Sequence, residues 1–317
     1  MKRFCNILFV TDFSAPYEAA LAQAFELASN NQARLTVVGV IDANEHEKFE
    51  HLNGTSPLLR AMVNRRTEEL KTMVAQKPEG IDSVHCEVLL GKPFMEIIRE
   101  VLLSDRDLVI KAVEPIEGLA RLFLGTDLKL LRKCPCPVWL IKSTQQTAFR
   151  EVIAALDYDP ENSEVDALNA QVLEIAASVA LSGFSELHVV HTWMLRHESF
   201  MRSPRSGMST YDVDALLLQE ISTRRDWIDN YVASYCASDK NVGEYLNPTV
   251  HLIQGNPGQR VPELARELGA ELVVMGTVAR TGIPGIVIGN TAETILGQLS
   301  CSVLTIKPEG FVSPVTL

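Results

Sequence analysis

Long apolar runs, long basic runs and an excess of positive charge are all missing from this 317-residue sequence. No uninterrupted apolar run reaches the roughly 18 residues that a membrane helix needs. No basic run is longer than a pair, and the net charge is −11, so the chain repels a phosphate backbone at long range. We therefore expect neither a membrane span nor nucleic-acid binding.

The motifs of the commonest nucleotide enzymes are absent as well. Neither G-x-x-x-x-G-K-[ST] nor G-x-G-x-x-G occurs, so P-loop and dinucleotide-binding chemistry is not supported. The N-terminus has a basic start and an apolar stretch, but Asp12 ends that stretch early and no small-residue cleavage site follows. This pattern predicts a first strand rather than a signal peptide, in a cytoplasmic protein.

Disulfide and metal motifs are also weak. The cysteines are scattered singly except Cys134 and Cys136, which is typical of reduced thiols. Their C-x-C spacing lacks the second pair of a zinc site and favours packing at the start of a strand. No two histidines have the i, i+4 spacing of a helical zinc site, but His191 and His251 fall on strands predicted to be neighbours. A metal site there stays open as an alternative.

What the chain does contain is an internal repeat, in a length that suits two domains and a composition of 46% hydrophobic and 22% charged residues. Three pairs of segments correspond: ILFVTD (7–12) and VIAALD (152–157), DLVIKAV (107–113) and ELVVMGT (271–277), CPVWLIK (136–142) and CSVLTIK (301–307). The two halves are diverged copies. We predict a first domain at 1–142, a linker at 143–150 and a second domain at 151–310.

Short β-branched runs alternate with helical patterns in both copies, which is typical of βαβ units. Strands are predicted near 5–11, 34–41, 83–90, 107–113 and 137–142, and again near 150–156, 186–193, 249–254, 271–276 and 302–307. Helices are predicted near 16–29, 57–75, 93–103, 122–133 and 211–236, and Asp159-Pro160 has the residue types of a helix N-cap and first turn. The fold class is therefore α/β, with two tandem doubly wound domains. Each would be a five-stranded parallel sheet of order 3-2-1-4-5 with helices on both faces.

In such a sheet, ligands bind beyond the carboxyl ends of the strands, where the strand order reverses. Asp12 and Asp157 end the two first strands. Gly276 ends the fourth strand of the second copy and opens a glycine-rich loop that leads into a helix near Asn290. A helix start of this kind offers free N–H groups to an anion.

These features resemble the universal stress protein family, and the two-copy chain resembles its tandem E-type members. Nucleotide-binding members carry G-x2-G-x9-G-[ST] after the fourth strand. The second copy has Gly276, Ala279, Gly289 and Asn290 at these positions, which keeps the spacing but only two of the four identities. Ala279 adds a Cβ, whereas the Asn290 amide is still a donor.

The first copy departs further from the motif. Its residues there are Ala112, Pro115, Gly125 and Thr126, with Lys111 and Glu114 alongside. Pro115 removes an N–H donor and Glu114 brings negative charge to the phosphate position. We therefore expect any nucleotide to bind in the second copy alone.

The resemblance implies a stress-response protein, acting in survival under stress, growth arrest or DNA damage, that binds ATP or another small molecule. The family's adenine-contacting positions fall on Asp157 and Thr192, with Asp12 and Val40 in the first copy. The predicted ligand-binding residues are Asp157, Thr192, Met275, Gly276, Ala279, Arg280, Gly289, Asn290 and Thr291, and no catalytic residue is predicted.

Two alternatives stay open. One is a slow ATP hydrolase in the second domain, for which Asp157 is the available general base. The other is a carrier of an amphipathic ligand beneath residues 194–210, where methionine and other apolar residues mix with arginines.

The fifth strands VWLIK and VLTIK are apolar edges that need cover. We predict that they pair antiparallel within one chain, as an intramolecular pseudo-dimer, and a further homodimer is an open possibility.

Overall fold

The computed structural model describes residues 4–13, 16–42, 57–79, 81, 83–113, 125–142, 149–238, 242–277 and 289–317. The first half contains strands β1 (Asn6–Thr11), β2 (Arg34–Ile41), β3 (Val84–Leu90), β4 (Leu108–Val113) and β5 (Val138–Lys142). The second half contains β6 (Glu151–Leu156), β7 (Glu186–Trp193), β8 (Thr249–Gln254), β9 (Leu272–Gly276) and β10 (Ser302–Ile306). Each strand lies within about one residue of its predicted position. The predicted linker falls largely on residues 143–148, which are outside the described part of the chain.

Helices alternate with these strands as the periodicity predicts. They are α1 (Glu18–Asn31), α2 (Pro57–Val74), α3 (Pro93–Leu103), α4 (Thr126–Lys133), α5 (Ser163–Gly183), α6 (Glu198–Met201), α7 (Thr210–Ser238), α8 (Pro257–Leu268) and α9 (Asn290–Leu296). The prediction that Asp159-Pro160 starts a helix was wrong. Asn162 is the N-cap of α5, because its side chain accepts from the Glu164 N–H at 3.0 Å, and the Asn162 N–H closes a turn onto the Asp159 carbonyl.

All ten strands form one sheet, in the order β3-β2-β1-β4-β5-β10-β9-β6-β7-β8. Within each half the strands are parallel and follow the predicted order 3-2-1-4-5. The fold-class prediction is therefore confirmed. In the second half, the strand order reverses between β6 and β9.

The two halves join through their fifth strands, as predicted. β5 and β10 pair antiparallel, with Leu140 opposite Val303 and Trp139 opposite Leu304. The Ser302 hydroxyl accepts from the Lys142 N–H at 3.0 Å beside this ladder. The pairing covers an apolar edge that each half would otherwise expose.

The hydrophobic core lies on both faces of the sheet and runs through the junction. One buried cluster contains Trp139 and Leu304 and lies under α1 and α5, and the other contains Leu140 and Val303 and lies under α4 and α9. Each cluster thus takes residues from both halves. The junction is part of the core rather than a hinge between two separate cores.

Helix α5 is long and apolar enough, by length and composition alone, to cross a membrane. In the structure it packs against β6, β7 and β9, and its buried face includes Leu173 and Ala176, both fully buried. These contacts are those of a core helix.

A buried lysine lies at the end of β10. The Lys307 ammonium donates to the Leu131 carbonyl at 2.6 Å and to the Thr277 hydroxyl, and it lies 5.0 Å from the centre of the Phe311 ring. Burial lowers the pKa of Lys307 from 10.5 to about 8. The group therefore loses its charge at a lower pH in the folded chain than in the unfolded chain.

This difference predicts a pH dependence of stability. Between pH 8 and 10.5 the unfolded chain holds a proton on Lys307 that the folded chain has lost, so the contribution of Lys307 to stability rises with pH in this window. The free energy of unfolding of the native chain minus that of Lys307→Met should increase by roughly 3 kcal/mol across it. Urea denaturation of both proteins from pH 7 to 10.5 measures the difference, and a flat difference would contradict the assignment.

Candidate functional site

A cleft of about 1130 Å³ lies at the carboxyl ends of β6, β7 and β9, where the strand order of the second half reverses. Seven predicted ligand-binding residues line it: Asp157, Thr192, Met275, Gly276, Gly289, Asn290 and Thr291. The other two, Ala279 and Arg280, lie outside the described residues. The structure thus brings together residues that are spread over much of the second half of the sequence.

The end of β6 is held by a residue of α5. The Asn169 side chain, which is buried, accepts from the Asp157 N–H at 3.0 Å and donates to the Asp157 carbonyl at 2.6 Å. The Asp157 carboxylate in turn accepts from the Tyr158 N–H at 2.9 Å. These bonds fix the backbone of Asp157 at the edge of the cleft.

His191 and Arg224 also line the cleft, and sequence reasoning missed both as cleft residues. His191 Nδ1 lies 3.1 Å from the Leu156 carbonyl, which can only accept, so the proton is on Nδ1. Nε2 is then an acceptor for the Arg224 guanidinium at 3.3 Å. Arg224 also pairs with Glu220 at 3.0 Å, so its charge is already compensated.

The same arginine lies 4.9 Å from the centre of the Tyr158 ring, and the first half repeats this arrangement. There, Arg66 of α2 lies 4.1 Å from the centre of the Phe13 ring. Phe13 follows β1 as Tyr158 follows β6. In both halves, a cation from the helix after the second strand therefore covers the aromatic residue after the first strand.

Residues 194–210 border the cleft on the side of β7. They contain the short helix α6, and Met194, Leu195, Arg196 and Met201 line the cleft. The Met194 side chain is about half exposed. This segment thus adds apolar surface and the cation of Arg196 to a cleft whose other walls mix apolar and polar residues.

The two glycines retained from the family motif have different structural roles. A Cβ on Gly276 would lie 2.5 Å from a methyl carbon of Leu168, so the Leu168 side chain would have to shift to accommodate any larger residue, whether or not a ligand binds. Gly289 has φ −60°, which any residue can adopt. It lacks a side chain to cap α9, and its N–H donates to the Thr277 carbonyl at 3.0 Å.

The corresponding region of the first half contains a buried ion cluster. Lys111 aligns with Met275, and its ammonium lies 2.9 Å from Asp12 and 3.1 Å from Asp127. Asp12 aligns with Asp157 and Asp127 with Thr291, so three positions that line the cleft in the second half are ion-paired to one another in the first. The predicted obstacles Glu114 and Pro115 lie outside the described residues.

This ion cluster shifts the pKa values of its members. Burial lowers the pKa of Lys111, but the carboxylates of Asp127 and Asp12 outweigh burial, so the net direction is upward. Burial also raises the pKa of Asp127, against the opposing effect of the Lys111 charge. Removing one partner would therefore leave a buried charge without compensation.

We expect Lys111→Met to destabilise the chain by about 3 kcal/mol, because Asp127 loses its buried cation. The double variant Lys111→Met/Asp127→Thr carries the residues of the second half at these two positions and should recover most of that loss. Urea denaturation at pH 7 measures both changes. Equal destabilisation of the single and double variants would show that the ion pair is not the source of the effect.

The histidine and cysteine hypotheses have separate outcomes. The strands of His191 and His251, β7 and β8, are neighbours as predicted, but the metal site between these two histidines was wrong, because His251 Nε2 lies 3.0 Å from His188 Nδ1 instead. Register explains the error: His251 is aligned with Val190, on the opposite face of the sheet from His191. Cys134 and Cys136 are both buried, with their sulfur atoms 3.6 Å apart, as expected of thiols packed at the start of a strand.

Comparisons with known proteins agree with this architecture. The model of the universal stress protein family matches residues 3–142 and 150–307. Universal stress protein E of Photorhabdus laumondii is 28% identical over 99% of this chain and 98% of its own length. Universal stress protein E of Escherichia coli K12 is 33% identical over 72% of this chain and 69% of its own length.

Solved structures support the fold over nearly the whole chain. A functionally unknown protein from Pseudomonas aeruginosa PAO1 has a TM-score of 0.66 at 24% identity, over 97% of this chain and 94% of its own. A universal stress protein from Archaeoglobus fulgidus has a TM-score of 0.59 at 19% identity, over 95% of this chain and 98% of its own. With two copies of the family's domain in one sheet, this chain belongs to the universal stress protein family of stress-response proteins.

Proposed function

We propose that this chain is a stress-response module that binds one nucleotide, ATP, in its second domain (151–310). The observation that carries the proposal is the cleft of about 1130 Å³ at the point where β6 and β9 diverge. Parallel sheets bind nucleotides at this position. The equivalent positions of the first half are ion-paired by Lys111, so the proposal assigns the first domain no nucleotide.

Residues on two sides of the cleft would hold the two ends of the nucleotide. Asp157 and Thr192, at the ends of β6 and β7, would contact the adenine. Asn290 and Thr291, at the start of α9, would receive the phosphates through backbone N–H groups and side-chain donors, and Gly289, which has no side chain, would leave room for their approach. The two predicted residues outside the described part, Ala279 and Arg280, lie between Gly276 and Gly289 in the sequence.

A hydrolase would need a general base beside the phosphates, and two of the three carboxylates that line the cleft among the described residues, those of Asp157 and Glu220 but not that of Glu164, are already engaged. Asp157 ends β6, on the adenine side, and its carboxylate already accepts from the Tyr158 N–H. Glu220, on α7, is paired with Arg224. We therefore propose binding rather than turnover. The rate of phosphate release, measured under conditions where ATP is bound, distinguishes the two functions. A binding module releases phosphate at the uncatalysed background rate, whereas a slow hydrolase releases it faster.

Calorimetric titration with Mg-ATP should give one site per chain. The variant Ala279→Gly/Asn290→Ser restores the family motif without adding bulk, and we expect it to tighten binding by roughly 1–3 kcal/mol, as for a hydrogen bond to a charged group. Gly289→Val should abolish binding without backbone strain, because φ at Gly289 is −60°.

The matched control is Thr126→Ser, at the position of the first half that aligns with Asn290, and it should leave ATP affinity unchanged. Melting temperatures must be measured in parallel, so that a folding defect is not taken for lost binding. Two equivalent sites would contradict the proposal. So would undetectable binding in both the native chain and the double variant.

A second candidate, a carrier of an amphipathic molecule, is favoured by one observation: Met194, Leu195 and Met201 add an apolar wall beside Arg196. Native mass spectrometry of freshly purified protein distinguishes the two. A co-purified mass equal to that of a nucleotide supports the first function. A lipid mass that Mg-ATP displaces would place an amphipathic ligand in the same cleft.

A further inference from the structure

A cluster of two glutamates and two histidines lies at the opposite end of the second half's sheet from the cleft. Glu151 begins β6 and Glu186 begins β7, and the strand register aligns them directly. His188 is the next residue of β7 on the same face, and His251 contacts it from β8. The cluster therefore belongs to the amino-terminal edge of the strands, away from the proposed nucleotide.

The potential ligand atoms are already close to one another. One oxygen each from Glu151 and Glu186 and one nitrogen of His188 lie within 4.8 Å of each other. The shortest contact is 2.7 Å, between His188 Nε2 and a Glu151 oxygen. Donor atoms bound to one zinc ion at about 2.0–2.2 Å lie roughly 3.4 Å apart in a tetrahedral site, so small side-chain movements would bring these three atoms to one ion.

Charge also favours a cation here. Two carboxylates face each other across neighbouring strands, an arrangement that destabilises a sheet unless it is compensated. Among the described residues, Glu186 makes no ion pair, and Glu151 pairs only with the imidazole of His188. The Glu271 carboxylate is engaged with the N–H groups of Arg150 and Glu151, so it is directed at the backbone.

His188 has a hydrogen-bond partner on its second ring nitrogen. Its Nδ1 lies 3.0 Å from His251 Nε2, on the side of the ring away from Glu151. A metal on Nε2 would leave the proton on Nδ1, which then donates to His251. A second hydrogen bond of this kind orients the ring and strengthens the ligand.

We propose that Glu151, Glu186 and His188 bind a divalent transition-metal ion of the zinc class, with His251 positioning His188. Nitrogen and oxygen donors of this kind suit Zn²⁺, and three protein ligands leave a fourth position for water. The ion joins the first residues of β6 to β7 and neutralises the paired carboxylates.

The first half provides an internal control. Its aligned positions are occupied by Asn6, Arg34 and Thr36, and the register again places Asn6 beside Arg34. An arginine there excludes a cation site. The proposal therefore requires one metal ion per chain rather than two.

The test uses the full-length untagged chain after treatment with a chelator and dialysis. Titration with Zn²⁺ should show one site and raise the melting temperature. Glu186→Gln changes an exposed residue and should weaken binding by at least about tenfold, and His251→Gln by roughly 10- to 100-fold. The control Glu18→Gln removes an exposed carboxylate of the first half and should bind Zn²⁺ as the native chain does.

His188→Gln removes the nitrogen ligand. Because His188 is buried, this variant can fail to fold, and the exposed Glu186→Gln variant then provides the test instead. Co²⁺ identifies the donors, because oxygen and imidazole ligation gives d–d absorption without a thiolate charge-transfer band. A thiolate band, unchanged affinity in Glu186→Gln, or no Zn²⁺ binding by the native chain would each overturn the proposal. None of these outcomes depends on ATP binding.

Discussion

The antiparallel pairing of β5 with β10 is the interaction on which the rest of the molecule depends. Each half ends in an apolar strand that would otherwise be a free edge, and a free apolar edge recruits another chain. Pairing the two edges within one polypeptide merges the halves into a ten-stranded sheet with a core on both faces.

Divergence between the two halves is visible at three aligned positions. Where the first half has Asp12, Lys111 and Asp127, the second half has Asp157, Met275 and Thr291. The first set is ion-paired around the buried Lys111 ammonium, and the second set lines the cleft. A lysine in place of a methionine thus separates a region whose charges pair with one another from a region that forms an open cleft. One feature is common to both halves: an arginine lies over the aromatic residue that follows the first strand. Arg66 lies over Phe13 in the first half, and Arg224 lies over Tyr158 in the second.

The alternation of strand and helix patterns was sufficient to predict the strands. The strand order and the pairing of the halves followed from the family resemblance together with the apolar fifth strands. The sequence was less informative about side chains that meet across the fold. Asp159-Pro160 predicted a helix start, but the helix is capped by Asn162 instead, because the Asn162 side chain accepts from the Glu164 N–H. The contact between His188 and His251 depends on register and face, which the sequence does not display.

The residues of the cleft, too, were only partly predictable from the sequence. The family motif predicted Gly276 and Gly289, yet the close approach of Leu168 already favours Gly276 without a ligand. Arg224 and His191 belong to the same cleft and follow no motif, because α7 is brought over the sheet only in the folded chain. The motif therefore identifies glycines by their spacing in the sequence, whereas the other side chains that line the cleft come together only in the tertiary structure.

The central claim is that the two halves share one sheet but only the second binds a ligand at its carboxyl end. Methyl NMR of methionine-labelled protein during titration with Mg-ATP tests this directly, because the halves carry separate probes. If only the second half binds ATP, the methyl resonances of Met275, Met194 and Met201, which line the cleft, should shift and saturate at one equivalent of Mg-ATP. The methyl resonances of Met95 in α3 and Met73 in α2 should not shift. Shifts at Met95 with Met275 unchanged would contradict the claim, as would no shift at any methionine.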